Sequence, residues 1–178
     1  MTESAVSIRS LSGTEAHEQN RALCDVLMDC VDGGASVGFM SPLSRLRAEA
    51  FWRHIAEDVA AGKRKLLIAE DGGTKTVLGT VHLVLAQPDN QAHRADVSKM
   101  LVRRAARRRG IAALLMRKAE DAARALGKTL LVLDTVTGSD AERLYARLGW
   151  KKVGVIPDFA LWPDGRPCAT TYFYKPLA

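Results

Sequence analysis

The sequence predicts an α/β (α+β) layered fold, in which an antiparallel meander leads into a strand-helix-strand crossover with helices laid against the sheet. Three observations predict it. Two β-rich runs, Lys65 to Glu70 and Lys75 to Ala86, are joined by Asp71-Gly72-Gly73-Thr74, whose glycines permit the positive φ of a tight hairpin turn. The strand-like run His93 to Arg103 leads into a helix from about Gly110 to Leu126, with Ile111, Leu114, Leu115, Ala119 and Ala122 as its apolar stripe. Thr129 to Asp134 (T-L-L-V-L-D) follows as a near-continuous apolar strand of the kind buried on both faces.

The other elements fall around these in order. Val6 to Ser10 alternates as a short strand, and Thr14 to Val31 predicts one helix with Leu23, Val26, Leu27 and Cys30 on a common face. A Gly-rich loop, Asp32 to Met40, separates it from a second helix. Ser41 as N-cap and Pro42 at the first helical position predict the start of that helix; Leu43, Leu46, Ala50 and Phe51 continue at helical spacing, and Gly62 ends it. Gly127 suits the C-terminus of the later helix. Ser139-Asp140-Ala141-Glu142 reads as a capping box opening a short helix to Leu148, stopped by Gly149. Val153 to Ile156 and Thr170 to Lys175 supply closing strands.

Length and composition set the class. A chain of 178 residues, 47% of them hydrophobic, fits one domain over 1–178, without repeats or low-complexity tracts. Met1 to Ser12 is polar and carries Glu3 before Arg9, unlike a secretory signal, and no apolar run approaches the ~18 residues of a membrane span, so a soluble, cytoplasmic protein without a membrane partner is predicted. Cys24, Cys30 and Cys168 have neither disulfide nor zinc spacing and read as small core or surface residues. His17, His54, His82 and His93 are scattered, with no metal spacing, and read as structural or exposed; no metal site is expected.

The net charge of +6 has one source. Arg103, Arg104, Arg107, Arg108, Arg109, Arg117 and Lys118 lie in a stretch with no acidic residue. Setting those seven aside leaves 19 of the 26 basic residues against 20 acidic ones. A single basic focus suits one compact polyanion held at one place, whereas an evenly spread excess would suit nucleic acid. From Leu101 to Gly110 no Ser, Thr, Asp or Asn is present to cap the helix that follows, so its first amide groups lack side-chain partners. Free donors at the positive end of a helix dipole, with the small residues Gly110 and Ala112 beside them, form a phosphate site.

Arg107-x-x-Gly110-x-Ala112, placed after a strand, resembles the [QR]-x-x-G-x-[GA] motif of the GNAT family of N-acetyltransferases. Tyr145-Ala146-Arg147-Leu148-Gly149-Trp150 resembles that family's Y-x-x-L-G-F, at the usual separation. Three further stretches, Gly33 to Met40, Leu133-Asp134-Thr135 and Pro163-Asp164-Gly165-Arg166, look like its tabtoxin-resistance branch. The departures are Arg108 where Gly is frequent, Arg104 where Pro often ends the strand, and Gly138 in place of a CoA-contacting Asn, with Ser139 as substitute. The resemblance implies the GNAT fold, a central, mostly antiparallel mixed sheet flanked by helices, and acetyl-CoA as co-substrate.

By the same resemblance, Met100, Leu101 and Val102 would hold the pantetheine arm, and Arg107, Arg108, Arg109, Gly110, Ile111 and Ala112 the pyrophosphate. Tyr145 is the candidate acid for the leaving thiolate, although Ala141, Leu144, Tyr145 and Leu148 also share one helix face as packing residues would. A phenol near pKa ~10 is a weak acid toward a thiolate near ~8.5, so Tyr145 serves mainly as a hydrogen-bond donor. Asp134 and Asp96 are the candidate bases, each requiring a water relay or a raised pKa. Gly34, Ser36 and Phe39 in one loop, and Asp158, Trp162 and Asp164 in another, are expected to wall the acceptor pocket, the acids attracting a cationic amine. Trp52 and Trp150 read as packing residues.

The acceptor is therefore expected to be a small-molecule amine, such as a β-lactam toxin or antibiotic-like compound, with a protein N-terminus or a polyamine as alternatives and a homodimer allowed. A nucleic-acid module built on Arg103 to Arg109 is the competing class, disfavoured by the lack of interleaved aromatics and of a helix-turn-helix or zinc-finger pattern. A sensor that binds acyl-CoA without turnover is the third.

Overall fold

Two apolar rows alternate along β2 (Arg64–Asp71), and both are buried: Leu66 and Ile68 on one side, Leu67 and Ala69 on the other. The computed structural model describes residues 5–177 and accounts for this by placing β2 inside a seven-stranded sheet with helices on both faces. The strands are β1 (Val6–Leu11), β2, β3 (Val77–Val84), β4 (Arg94–Val102), β5 (Leu130–Val136), β6 (Lys151–Leu161) and β7 (Pro167–Pro176), in the order β1-β2-β3-β4-β5-β7-β6. Only β4 and β5 run parallel; every other neighbouring pair is antiparallel. This is the predicted mostly antiparallel mixed sheet. Residues 1–4, including Glu3 of the polar opening stretch, lie outside the described residues.

On one face, α1 (Gly13–Glu18), α2 (Asn20–Asp32) and α3 (Arg45–Ala60) cover β1 to β3, burying Leu23, Leu27, Trp52 and Ile55 against Leu66, Ile68 and Leu101. On the other, α4 (Ile111–Ala125) and α5 (Asp140–Arg147) pack Ile111, Leu115, Met116 and Tyr145 against Val81, Leu83, Leu131 and Phe173.

Several local expectations are corrected. The helix predicted over Thr14 to Val31 is interrupted at Gln19 (φ −83°, ψ 2°), and Ser12 opens α1 through a reciprocal cap with Glu15. Its first residue packs so closely on α3 that a Cβ at Gly13 would lie 2.6 Å from Ala60 Cβ. The next helix starts at Arg45 behind Ser44, whose Oγ accepts from Arg47 N–H, rather than at Ser41 and Pro42, which are joined by a cis peptide. That start leaves Leu46 and Ala50 exposed and buries Ala48, Trp52, Ile55 and Ala56 instead.

In the β2–β3 turn the positive φ falls on Lys75 and not on the glycines, because the Asp71 carboxylate accepts from the amides of Gly73 and Thr74 and closes the turn itself. On α4, Leu114 is 38% exposed, while Met116 and Ala123 complete the buried stripe. Strand β5 is not buried on both faces: Leu131 and Leu133 are buried, Asp134 is exposed, and the face that carries Asp134 is open. At α5, Ser139 Oγ accepts from Glu142 N–H, but the Glu142 carboxylate takes the amide of Gly138 instead of that of Ser139. The closing strands are longer than predicted, so that Asp158 lies within β6, at φ 50°.

Candidate active site

The passage from β4 to α4 is built by backbone conformation. After Val102 a short 3₁₀ turn, Arg104–Ala106, leads to Arg107 in extended geometry, then Arg108 at φ 62° and Gly110 at φ 76°, both left-handed, before α4 begins. No side chain caps α4. Among the described residues, the amides of Arg108, Gly110, Ile111, Ala112 and Ala113 meet no hydrogen-bond acceptor. The left-handed residues at 108 and 110 leave these amides at the positive end of a fifteen-residue helix, a candidate anion nest. The left-handed backbone at 108 also explains why glycine suits that position, with arginine carrying a strain of roughly 1–2 kcal/mol.

The arginine cluster divides. Arg103 Nε donates to Val77 O at 2.9 Å, and its guanidinium lies 3.8 Å from Asp25. Arg104 donates through N–H and Nε to Asp29, at 2.7 and 2.9 Å. Arg107 Nε reaches Val102 O at 3.3 Å. Two of the seven basic groups, Arg103 and Arg104, thus brace the loop against α2 and β3 and a third, Arg107, folds back on the end of β4, which counts against a continuous basic surface for nucleic acid.

Beside the loop the sheet opens. β4 and β5 pair only where Arg94, Ala95 and Asp96 meet Leu130, Leu131 and Val132. Beyond that point β4 follows β3, with a register shift between Thr80 and His82 and a left-handed residue, Lys99 (φ 50°), while β5 follows β7. Such a bulge bends its strand away from its neighbour. Gly79 allows the shift, since a Cβ there would lie 2.5 Å from Leu101 O. Met100, Leu101 and Val102 therefore border the opening, Leu101 and Val102 buried and Met100 half-buried.

A cleft of about 480 Å³ occupies the opening, lined among others by Arg64, Arg94, Asp96, Ser98, Asp134 and Tyr172. Two of the predicted carboxylates meet there in different states. Asp96 is held in an ion pair by Arg94, and its other oxygen accepts from Gln87 Nε2 at 2.9 Å. Asp134 is exposed; its one hydrogen bond among the described residues comes from Thr170 Oγ1 at 2.9 Å. Tyr172 stands directly across β5–β7 from Asp134, and its phenol is pushed up by burial and by the charges of Asp134 and Asp96.

Tyr145 is 5% exposed, with its ring centroid 6.1 Å from both Trp150 and Phe173. Its hydroxyl has no hydrogen bond among the described residues. Burial and the charge of Asp134 raise its pKa well above the ordinary phenol value, so the hydroxyl stays protonated. Ser139 is committed to capping α5, with Thr135 Oγ1 3.4 Å from its Oγ.

The two loops predicted to wall the pocket meet each other. Ser36 Oγ donates to Leu161 O at 2.7 Å, and Ser41 N–H to Pro163 O at 3.0 Å. They border a second, smaller cavity of about 200 Å³ containing Gly34, Trp162 and Asp164, and Asp164 is paired with Arg166 at 2.8 Å. Phe39 stacks edge-on to Phe51 of α3, 5.1 Å between centroids. Sequence reasoning missed Arg64, Arg94, Ser98 and Tyr172 of the cleft lining and the neighbouring Lys99; the four on β2 and β4 alternate or bulge along their strands in a way that local pattern does not distinguish from polar residues facing water. Among the described residues no group of His, Cys, Asp or Glu is placed to hold a metal ion, and no helix is long and apolar enough to cross a membrane.

Comparison with known proteins bears on the family and the fold. Residues 27–150 match the model of the acetyltransferase (GNAT) family. An uncharacterized N-acetyltransferase in the hisH-hisA intergenic region of Azospirillum brasilense is 32% identical over 114 residues, which span 63% of this chain and 65% of that relative. In fold, the chain is similar to an N-acetyltransferase from Staphylococcus aureus Mu50 (19% identity, TM-score 0.80, 98% of this chain and 100% of that one). It is likewise similar to a GNAT superfamily phosphinothricin acetyltransferase from Sinorhizobium meliloti in complex with AcCoA (17% identity, TM-score 0.80, 97% and 89%). The family match covers both the nest before α4 and the Tyr145 helix, and so the chain belongs to the acetyltransferase (GNAT) family.

Proposed function

We propose that this chain is an N-acetyltransferase that moves an acetyl group from acetyl-CoA to the amine of a small molecule by direct attack within a ternary complex. The observation that carries the reading is the combination of an uncapped, left-handed nest at the start of α4 with a sheet that opens between β4 and β5 beside it.

The residues present fit the co-substrate. The amides of Arg108, Gly110, Ile111, Ala112 and Ala113, without an acceptor among the described residues, are offered to a diphosphate, with the Arg107 and Arg108 charges beside them. The free edge of β4 at Met100 to Val102 offers main-chain groups to an extended amide-bearing arm, as a sheet edge does. Acetyl-CoA supplies an activated thioester: the amine nitrogen forms a bond to the acetyl carbon, the carbon-sulfur bond breaks, one proton leaves the amine, and the sulfur must be stabilised or protonated.

Tyr145 is the residue we assign to the second task. Being held protonated, it acts as a hydrogen-bond donor toward the leaving sulfur rather than as a full proton donor. Asp134 is the better placed of the two candidate bases, because the Asp96 carboxylate is already engaged by Arg94 and Gln87. The Asp134 carboxylate orients the ammonium and receives its proton through water.

The acceptor reading is a small-molecule amine, a β-lactam compound of the toxin type included. The test is isothermal titration with acetyl-CoA, followed by thiol release in the presence of an amine panel that contains a β-lactam dipeptide. Micromolar binding with amine-dependent release is expected. Absence of any acetyl-CoA affinity sinks the reading, and binding without release for any amine leaves an acyl-CoA sensor instead.

A further inference from the structure

Lys99 follows Ser98 of the cleft lining, and among the described residues its ammonium meets the Phe51 ring but no hydrogen-bond acceptor or carboxylate. The bulge at φ 50° sends it under the loop 33–40, where Nζ lies 5.7 Å from the Phe51 ring centroid and 3.5 Å from the position a Cβ on Gly38 would take. It has neither a hydrogen-bond acceptor nor a carboxylate partner among the described residues. The charges that act on it are Arg64 and, with opposite sign, Asp134, and burial desolvates it. Arg94, by contrast, is used up by Asp96 and Gln91, while Arg64 keeps only its Nε on Asp58 and lines the cleft.

The cleft thus carries charges of both signs, since Arg64, Asp134 and Tyr172 line it, Lys99 follows the lining residue Ser98, and Lys99 feels the charges of both Arg64 and Asp134. A neutral amine leaves the desolvated ammonium uncompensated. A polyamine adds cations to a site that already has two, and like charges at short range repel strongly where water is excluded. An amine that carries its own oxyanion matches both signs at once, its ammonium toward Asp134 and its anion toward the Lys99 and Arg64 donors.

Resting on the acetyltransferase reading, we infer that the acceptor is a zwitterion of the amino-acid type, whose carboxylate or equivalent oxyanion is bound by Lys99 with Arg64, and that Lys99 determines specificity without touching the reacting atoms. Gln at this position keeps a polar side chain and removes an ammonium that has no carboxylate partner among the described residues.

The experiment measures thiol release with L-amino acids, their carboxamides, aminoalkyl phosphonates and spermidine, for wild type, Lys99→Gln and Lys99→Arg. An oxyanion-bearing amine is expected to be the best acceptor, at least tenfold above its carboxamide in kcat/KM. Lys99→Gln should raise KM for it about tenfold or more, leave kcat and the carboxamide rate within about threefold, and keep the melting temperature; Lys99→Arg should recover most of the loss. Spermidine or the carboxamides as best substrates, or an unchanged acid-to-amide ratio in Lys99→Gln, overturn the inference while leaving the acetyltransferase reading intact. A collapsed melting temperature in both variants assigns Lys99 to structure and also overturns it. Release with no amine of any class removes the reading and the inference together.

Discussion

Trp150 donates its indole N–H to Glu120 at 3.1 Å, and Lys175 Nζ reaches both oxygens of the same carboxylate at 2.8 Å. Glu120 and Trp150 are both buried, so α4, the end of the Tyr145 helix and β7 are tied at one charged point inside the core. Phe, which the family pattern favours at position 150, would fill the space without the donor.

Trp150→Phe is expected to lower unfolding stability by about 1.5–3 kcal/mol, the range for a hydrogen bond to a charged group. Glu120→Ala should cost more, roughly 3–5 kcal/mol, because it strands the Lys175 ammonium and the indole N–H. Urea unfolding of both variants checks the order. Equal stability of wild type and Trp150→Phe would mean that the Lys175 pair alone satisfies Glu120.

The strain at Arg108 predicts the opposite sign. A left-handed arginine costs roughly 1–2 kcal/mol, whereas glycine is free of that strain but loses roughly 0.5–1 kcal/mol of extra chain entropy. Arg108→Gly should leave stability unchanged or raise it by up to about 1 kcal/mol. Because the nest is made of main-chain amides, acetyl-CoA affinity should fall by no more than about tenfold, the contribution of one flanking charge. A loss of a hundredfold or more in calorimetry would show that the side chain, not the backbone, holds the diphosphate.

His82 predicts an acid limit to stability. Its ring is fully buried against Trp52, neither nitrogen finds a hydrogen-bond partner among the described residues, and burial, with the charges of Arg64 and Lys99, holds its pKa well below 6.5. The folded state keeps His82 neutral while the unfolded chain protonates it near pH ~6.5, so stability is complete above that pH. Below it, about 1.4 kcal/mol is lost per pH unit until the folded-state value is reached. His82→Leu should flatten that part of the stability-pH curve and, by removing unsatisfied nitrogens, leave stability at pH 7 equal or higher. A wild-type curve flat from pH 7 to 5 contradicts this.

How much of this was legible in the sequence depends on how local each cause is. The uncapped start of α4 could be read because capping involves residues within four positions, and the hairpin because Asp71 and the glycines sit inside the turn. The bracing of Arg103 and Arg104 could not be read: Asp25 and Asp29 lie about 75 positions away on α2 and meet the loop only once the sheet is assembled. The same holds for Lys99, whose side chain leaves the strand alternation because of a left-handed backbone that only the divergence of β4 from β5 imposes. Leu46 and Leu114 misled for a simpler reason, since an apolar residue at helical spacing is buried only if the sheet extends beneath it.

Tyr145 separates packing from chemistry in one substitution. Its ring contacts with Trp150 and Phe173 survive in Tyr145→Phe, and its hydroxyl has no hydrogen bond to lose among the described residues, so the melting temperature and acetyl-CoA affinity should stay within error of wild type. A purely structural tyrosine then predicts unchanged turnover. A hydroxyl that stabilises the departing sulfur predicts a kcat lowered by about 10²-fold, the lower end of the range for a positioned acid. Because burial holds the phenol above its ordinary range, its ionisation does not enter the alkaline limb below pH ~10, and Tyr145→Phe should lower the pH-rate profile without changing its shape. An alkaline limb that disappears in the variant would instead show Tyr145 ionising during the cycle. In the companion variant Asp134→Asn kcat should fall while the melting temperature holds, because the carboxylate that accepts the proton is gone.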